Sequence, residues 1–305
     1  MPDGRFAPSP TGSLHVGNLR TALLSWLFAR HDGGRWVLRV EDLDPVSSRD
    51  EVVDEHLGDL AALGLDHDGP IVRQSDPAVR ARHEAAVQRL DDAGLVYPCW
   101  CSRKEVAQAA SAAHGPLPEG AYPGTCRALT TDERDERQAA KPDKAPSLRV
   151  RAGAAEVTVH DRLHGRHTGI VDDFIVRRGD GVPAYNLAVV LDDEVQGVVE
   201  VVRADDLLEG TPRQAWLCGV LGIAVPDYAH VPLVVGPDGE RLAKRHGSVT
   251  RADLRADGWT DARLLAVMGA SLGLCRPDES VDAALLLDRF DPDAVPTDPW
   301  AYTPV

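Results

Sequence analysis

Arg5-Phe6-Ala7-Pro8-Ser9-Pro10-Thr11-Gly12-Ser13-Leu14-His15-Val16-Gly17-Asn18 sets a Pro/Gly-rich loop directly before a run of helical periodicity. Apolar residues at Leu14, Val16, Leu19, Leu23, Trp26 and Leu27 share one helical face, which predicts a helix to about His31, stopped by Gly33-Gly34. A loop feeding straight into a helix start brings unpaired backbone N–H groups and the positive end of the helix dipole to one point, a setting suited to a phosphate. His15 adds a side-chain donor at that point, and Gly17 lets a nucleobase or ribose approach the backbone. Downstream, a strand over 35–40 ends in Glu41-Asp42-Leu43-Asp44. Carboxylates at the C-terminal edge of a strand sit where open α/β sheets bind their ligands.

Helical patterns follow at 48–63 and 77–93, a charged helix at 130–140, and a Pro-bearing linker at 141–146. Short strands at 148–151 and 157–160 suggest a small insertion before the sheet resumes at 172–178, 183–190 and 198–207, whose Val-rich runs fit buried parallel strands. Helices are expected at 207–221 and 261–272. The expected organisation is a first catalytic half at 1–97, an insertion at 98–160, a second catalytic half at 161–245 and a helical remainder at 246–305.

At 305 residues the chain can bury a sizeable core. No run approaches the ~18 apolar residues of a membrane helix, and the start lacks a charged-then-apolar leader. A cytoplasmic protein with no membrane partner is therefore expected. The net charge of −15 argues against broad, nonspecific nucleic-acid binding, so any RNA partner must meet a local basic patch.

Five cysteines in a reducing compartment do not make a disulfide framework. Cys218 and Cys275 lie in apolar runs and read as small buried hydrophobes. Cys99-Trp100-Cys101 and Cys126 are different: three thiolates and one further donor suit a structural zinc. Tyr122 and His114 are both available as the fourth donor.

The opening segment resembles the signature of class I aminoacyl-tRNA synthetases of the glutamyl branch, where R-(F/I)-A-P-S-P-T-G runs into H-(V/I/L)-G-x at a helix start. The resemblance extends to Tyr185-Asn186-Leu187-Ala188-Val189-Val190 with Asp192-Asp193, to Glu200-Val201-Val202-Arg203, and over residues 5–275 in all. At Glu240-Arg241-Leu242-Ala243-Lys244-Arg245-His246-Gly247 the family carries K-M-S-K-S; here only Lys244 matches, with Arg241, Ala243 and Arg245 as departures. The resemblance implies an α/β class I synthetase fold, a Rossmann-type parallel sheet with a zinc-bearing insertion and a short helical C-terminal region. It implies ATP with Mg2+ bound by His15, Gly17, Asn18 and Lys244, with His15 and Lys244 stabilising charge that shifts onto leaving pyrophosphate. A similar C-x-C…Y-x3-C zinc knot in some glutamyl-branch enzymes matches Cys99, Cys101, Tyr122 and Cys126.

Glutamate brings two carboxylates and an ammonium, so a selective pocket needs guanidinium for the side-chain carboxylate and an acid for the ammonium. By family position Arg5 and Arg203 take the first task and Glu41 the second, with Ser9 and Tyr185 completing hydrogen bonds and Phe6, Ala7 and Pro8 forming the wall. About sixty residues follow Lys244, too few for the large anticodon-binding region of glutamyl-tRNA synthetases. The truncated pattern resembles the paralogues that place glutamate on queuosine in the anticodon arm of aspartate tRNA, and a monomer is expected. A reduced or partner-dependent glutamyl-tRNA synthetase charging the tRNA 3′ end and a non-catalytic regulator that binds tRNA or adenylate are the alternatives.

Overall fold

In the computed structural model, residues 2–111, 120–242, 246 and 249–303 are described. The chain opens with β1 (Gly4–Phe6), then α1 (Val16–His31) and β2 (Trp36–Val40), followed by α2 (Asp50–Ala62), β3 (Val72–Arg73) and α3 (Pro77–Asp92). β1, β2 and β3 pair in parallel, with Arg5 opposite Val37 and Arg39 opposite Val72. Pro77 fits the first turn of α3, where its missing N–H costs no helical bond, and Asp76 caps that turn through Ala78 N–H.

β4 (Val96–Cys99), α4 (Arg103–Ser111) and α5 (Thr131–Ala140) lead to β5 (Ser147–Val150), β6 (Ala155–Asp161), β7 (Gly165–Val171) and β8 (Ile175–Arg177). The two strands expected at 148–151 and 157–160 form, but in different sheets. β5 lies antiparallel between β4 and β8, whereas β6 makes a hairpin with β7 and pairs in parallel with β10 (Asp227–Val231). β10 also runs parallel to β9 (Glu200–Ala204) along its whole length. The N–H groups of Val199 and Glu200 donate to Asp3 O, which sets the start of β9 beside β1.

Residues 183–190, expected as a strand, are instead the start of α6 (Tyr185–Gln196). A short continuous apolar run fits a buried helix as well as a buried strand, and here length decides. The segment continues to Gln196 and closes on Gly197 at φ 73°, the left-handed conformation that glycine adopts without penalty. The helix expected at 207–221 is also divided: a 3-10 turn covers Asp205–Gly210, and α7 (Thr211–Leu221) begins only where Pro212 can occupy the first turn.

α1 departs from its expected one-sided amphipathicity, since twelve of its sixteen residues are buried. One side meets the parallel sheet. The other is covered by the C-terminal elements: β11 (Val234–Val235), α8 (Arg251–Ala256), α9 (Asp261–Ala270), α10 (Ala283–Asp288) and β12 (Trp300–Ala301). Phe28 meets Phe290 edge-on with ring centroids 5.2 Å apart, so the chain beyond residue 246 is part of the central core. Cys218 is buried as expected, while Cys275 is only half-buried and donates its thiol to Ala266 O. Among the described residues no helix is long and apolar enough to cross a membrane.

Candidate active site

The C-terminal ends of β1, β2 and β9 open into one cleft of about 580 Å³. Arg5, Phe6, Ala7, Pro8, Ser9, Glu41, Tyr185 and Arg203, the residues expected to hold glutamate, all line it, and so do His15 and Asn18. Parallel strands place their side chains at a common edge, which is why positions up to 198 residues apart in sequence converge here.

Arg5 is buried on β1, where its Nη1 donates to Val202 O of β9 across 2.9 Å. Its Nε lies 3.5 Å from Asp193 Oδ1 of α6. Arg39 Nη1 of β2 donates to the same oxygen at 2.6 Å, and Arg39 Nη2 donates to Glu41 Oε1 at 3.3 Å. Burial alone would raise the Asp193 pKa, but Arg39 and Arg5 outweigh it and hold the carboxyl below its ordinary range. For Glu41 burial wins, and its carboxyl is pushed up despite the same two guanidinia. Burial likewise lowers Arg5, with Asp193 opposing.

Arg203, on β9, is arranged differently. Its Nε–H donates to His230 Nε2 at 3.0 Å, Nη1 to Gln214 Oε1 at 2.8 Å and Nη2 to Thr211 Oγ1 at 2.9 Å. Tyr185 Oη accepts a longer bond of 3.5 Å. Every one of these acceptors is uncharged, and among the described residues no carboxylate lies within ion-pair distance of Arg203. A buried guanidinium with no carboxylate in contact, its nearest opposing charge being the longer-range one of Asp193, therefore faces the cleft.

His15 is both cap and donor. Its Nδ1 accepts from Asn18 N–H at 3.3 Å while Asn18 Oδ1 accepts from His15 N–H at 3.2 Å, a reciprocal capping box at the start of α1. Because Nδ1 accepts, the proton of the neutral ring sits on Nε2, and burial followed by the charge of Arg241 lowers the ring's pKa. The helix start offers fewer free amides than expected. Asn18 N–H is capped and Val16 N–H donates to Val249 O at 2.7 Å; among the described residues the Gly17 N–H alone in that turn has no protein acceptor. A Cβ at Gly17 would stand 2.9 Å from His15 Cε1 and 3.3 Å from Val234 Cβ, so the close neighbour that requires glycine is the His15 ring itself.

Lys244 and His114 lie outside the described residues. The ends of the segment that holds Lys244 are anchored beside the cleft. Arg241 bridges to Val235 and lines the cleft with its side chain paired to Asp206, and Thr250 bridges to His15. Sequence reading passed over Arg39, Asp193, Gln214, Thr211, His230 and Asp161. Asp193 stands inside a block quoted above for the family resemblance, but nothing local marked any of the six as a site residue.

The family model for the catalytic domain of class I tRNA synthetases (E and Q) matches residues 3–280. The chain belongs to that family. This synthetase is 56% identical over 98% of its length to a protein of Nocardia farcinica named glutamyl-Q tRNA(Asp) synthetase, covering 93% of that protein. It is 46% identical to a protein of the same name from Symbiobacterium thermophilum, with 97% and 94% of the two chains covered. It is 39% identical to glutamate–tRNA ligase 1 of Halorhodospira halophila, of which it spans 65%. A solved glutamate tRNA ligase from Elizabethkingia meningosepticum, in complex with its amino acid, superposes with a TM-score of 0.81 at 23% identity, over 99% of this chain and 67% of that one, which shows the shared fold.

Away from the cleft, the synthetase gathers Cys99, Cys101 and Cys126 with all Sγ atoms within 4.8 Å of one another, a cluster that could hold a metal ion. Cys101 and Cys126 Sγ are 3.7 Å apart, against ~3.8 Å between thiolates of a tetrahedral zinc with 2.3 Å Zn–S bonds. Tyr122 Oη lies beside the three thiols, 3.4 Å from Cys99 Sγ and 3.9 Å from Cys101 Sγ, and accepts from Cys126 N–H at 2.8 Å. Hydrogen bonding to Cys126, and then to Tyr122, with the Arg149 charge beyond, draws the Cys99 thiol well below its usual range. The Arg149 guanidinium lies 3.7 Å over the Tyr122 ring and donates to Cys99 Sγ at 3.3 Å, whereas burial pushes the Cys101 thiol and the Tyr122 phenol up and the hydrogen bond to Cys99, with burial, pushes Cys126 up. Asp172 accepts from Tyr122 N–H, and Asp173 binds Tyr97 and Arg127, so the cluster is tied to the segment entering β8.

Proposed function

We propose that this protein activates glutamate with ATP and transfers it to queuosine in the anticodon arm of aspartate tRNA, as a cytoplasmic monomer. The observation that carries the amino-acid assignment is Arg203: a buried guanidinium held by neutral acceptors alone, facing a cleft that also holds Arg5 and Glu41. The ligand that satisfies this set has an anionic side chain to meet Arg203 and Arg5, and an ammonium to meet Glu41. Tyr185 and Ser9 flank that ligand, with Phe6, Ala7 and Pro8 as wall.

In the first step a glutamate α-carboxylate oxygen attacks the α-phosphorus of ATP, and the bond to pyrophosphate breaks. His15 Nε2–H, the Gly17 amide and the Lys244 ammonium serve the charge that moves onto pyrophosphate, with Gly17 and Asn18 beside the nucleotide. In the second step a hydroxyl of the queuosine cyclopentenediol attacks the mixed anhydride, and AMP leaves. The choice of this acceptor rests on the two full-length relatives named glutamyl-Q tRNA(Asp) synthetase, which are more similar than the glutamate–tRNA ligases.

We assign zinc to Cys99, Cys101, Tyr122 and Cys126; when bound it cross-links the end of β4 to the 122–126 turn. The domain limits at 97, 160 and 245 follow the same reading.

The deciding experiment offers aspartate tRNA with queuosine, without queuosine, and with queuosine but a 3′-terminal ribose that has no free hydroxyl. Labelled glutamate should attach to the first and third RNA and not to the second. Attachment to tRNA lacking queuosine, together with loss on the blocked 3′ end, would make the 3′ terminus the acceptor instead.

A further inference from the structure

Arg203 Nε–H donates to His230 Nε2, so that nitrogen carries no proton and the ring is the Nδ1–H form. Nδ1 donates to Asp161 Oδ2 at 2.6 Å, and both residues are completely buried. Asp161 is itself fixed by three backbone donors: Leu163 and His164 N–H on Oδ1, each at 2.9 Å, and His230 N–H on Oδ2 at 3.0 Å. The tight turn after β6 therefore determines the Asp161 rotamer, Asp161 determines the His230 tautomer, and His230 presents a lone pair to the cleft guanidinium.

An acidic residue in the place of His230 would orient Arg203 equally well but would cancel its charge. A neutral imidazole orients it and leaves the charge for the ligand. We propose that His230, held by Asp161, is a positioning and specificity-determining residue: it fixes the plane of Arg203 without a direct ion pair, leaving that charge open to the side-chain carboxylate of glutamate, and so favours glutamate over glutamine. This rests on the assignment of Arg203 to that carboxylate.

The test uses glutamate-dependent ATP–pyrophosphate exchange by the full chain, with KM and kcat measured separately for glutamate and glutamine in the variants His230→Asn, His230→Gln and Arg203→Ala. The Asn amide overlays the Nδ1 side of the ring and can keep the bond to Asp161 without reaching Arg203. The Gln amide reaches the Nε2 position and can accept from Arg203 Nε–H. His230→Asn should raise the KM for glutamate at least tenfold, with a smaller change in kcat, and narrow the preference over glutamine. His230→Gln should stay within about threefold of the parent protein. A melting temperature for each variant separates folding from positioning. If Asn and Gln behave alike while Arg203→Ala still raises KM, His230 is only packing and the proposal falls. If Arg203→Ala leaves the KM for glutamate unchanged, the assignment of Arg203 fails first. If His230→Asn does not fold, His230→Gln still decides, because a tenfold rise in its KM with normal melting would overturn the acceptor role.

Discussion

Arg39 donates to Asp193 across 2.6 Å, with the guanidinium fully buried and the carboxylate nearly so. Asp193 has a second cation, Arg5, at 3.5 Å, so a single carboxylate on α6 fixes side chains from both β1 and β2. The cleft inherits its charge pattern from this knot: Arg5 and Glu41 face the ligand because Asp193 and Arg39 hold them from behind. Removing one partner of a buried pair leaves an uncompensated charge and costs ~3–5 kcal/mol. Asp193→Asn should therefore lower the unfolding free energy by ~3 kcal/mol, read from denaturant midpoints, and weaken glutamate-dependent pyrophosphate exchange. An unchanged midpoint would show that the knot is not structural.

The buried imidazole of His230 predicts a pH slope. Burial lowers its pKa in the folded protein, with Asp161 opposing, whereas the unfolded ring titrates near its ordinary value of ~6.5. The unfolded state then binds more protons just below that value, so stability should fall as the pH is lowered from 7 to 5. Denaturant midpoints at the two pH values measure this, and His230→Gln should flatten the slope. An equal slope in the variant would assign it to other histidines.

At lower pH the carboxylates take over. Asp161, Asp173 and Asp193 are all held below the usual range: burial raises each, and hydrogen bonds and cations outweigh it. Their contribution is fully present above the ordinary aspartate pKa of ~3.9 and is lost as the pH falls through the depressed folded values. Acid unfolding should accordingly be steep below about pH 4. Far-UV circular dichroism across pH 5 to 2 tests it, and a flat signal there would contradict the assignment.

Gly17→Ala should cost activity more than stability. The new Cβ would fall 2.9 Å from His15 Cε1, forcing the ring and its Nε2–H out of place. Loss of one placed donor at the developing charge predicts ~100-fold slower pyrophosphate exchange. Gly58→Ala, on α2 with nothing within 4 Å of the added methyl, is the control and should be neutral or slightly stabilising.

Purified protein should carry close to one zinc per chain, and Cys101→Ser should lower both metal content and melting temperature. Metal analysis beside thermal melts reads both. A metal-free protein with an unchanged melt after the substitution would remove the zinc assignment.

Much of the site was legible in the chain because its chemistry is local. The loop from Arg5 to Gly12, the helix start at His15 and Gly17, Glu41 at the end of β2 and the cysteine pattern are local in sequence and fall within the described residues, which Lys244 and His114 do not, while the glutamate-holding roles rested on the family resemblance. What failed locally was the run at 183–190, where apolar continuity cannot separate a buried helix from a buried strand, and α1, whose burial on both sides depends on a C-terminal layer more than 200 residues away. The partners behind the cleft were invisible for a similar reason. Asp193, Arg39, Asp161 and His230 are ordinary charged or polar residues in sequence; desolvation makes them matter, and only the packing of distant strands against α6 and the β6–β7 turn removes the water. The sequence determined which groups the cleft would offer. Tertiary structure decided which of those charges are neutralised from behind and which, like that of Arg203, are left for a ligand.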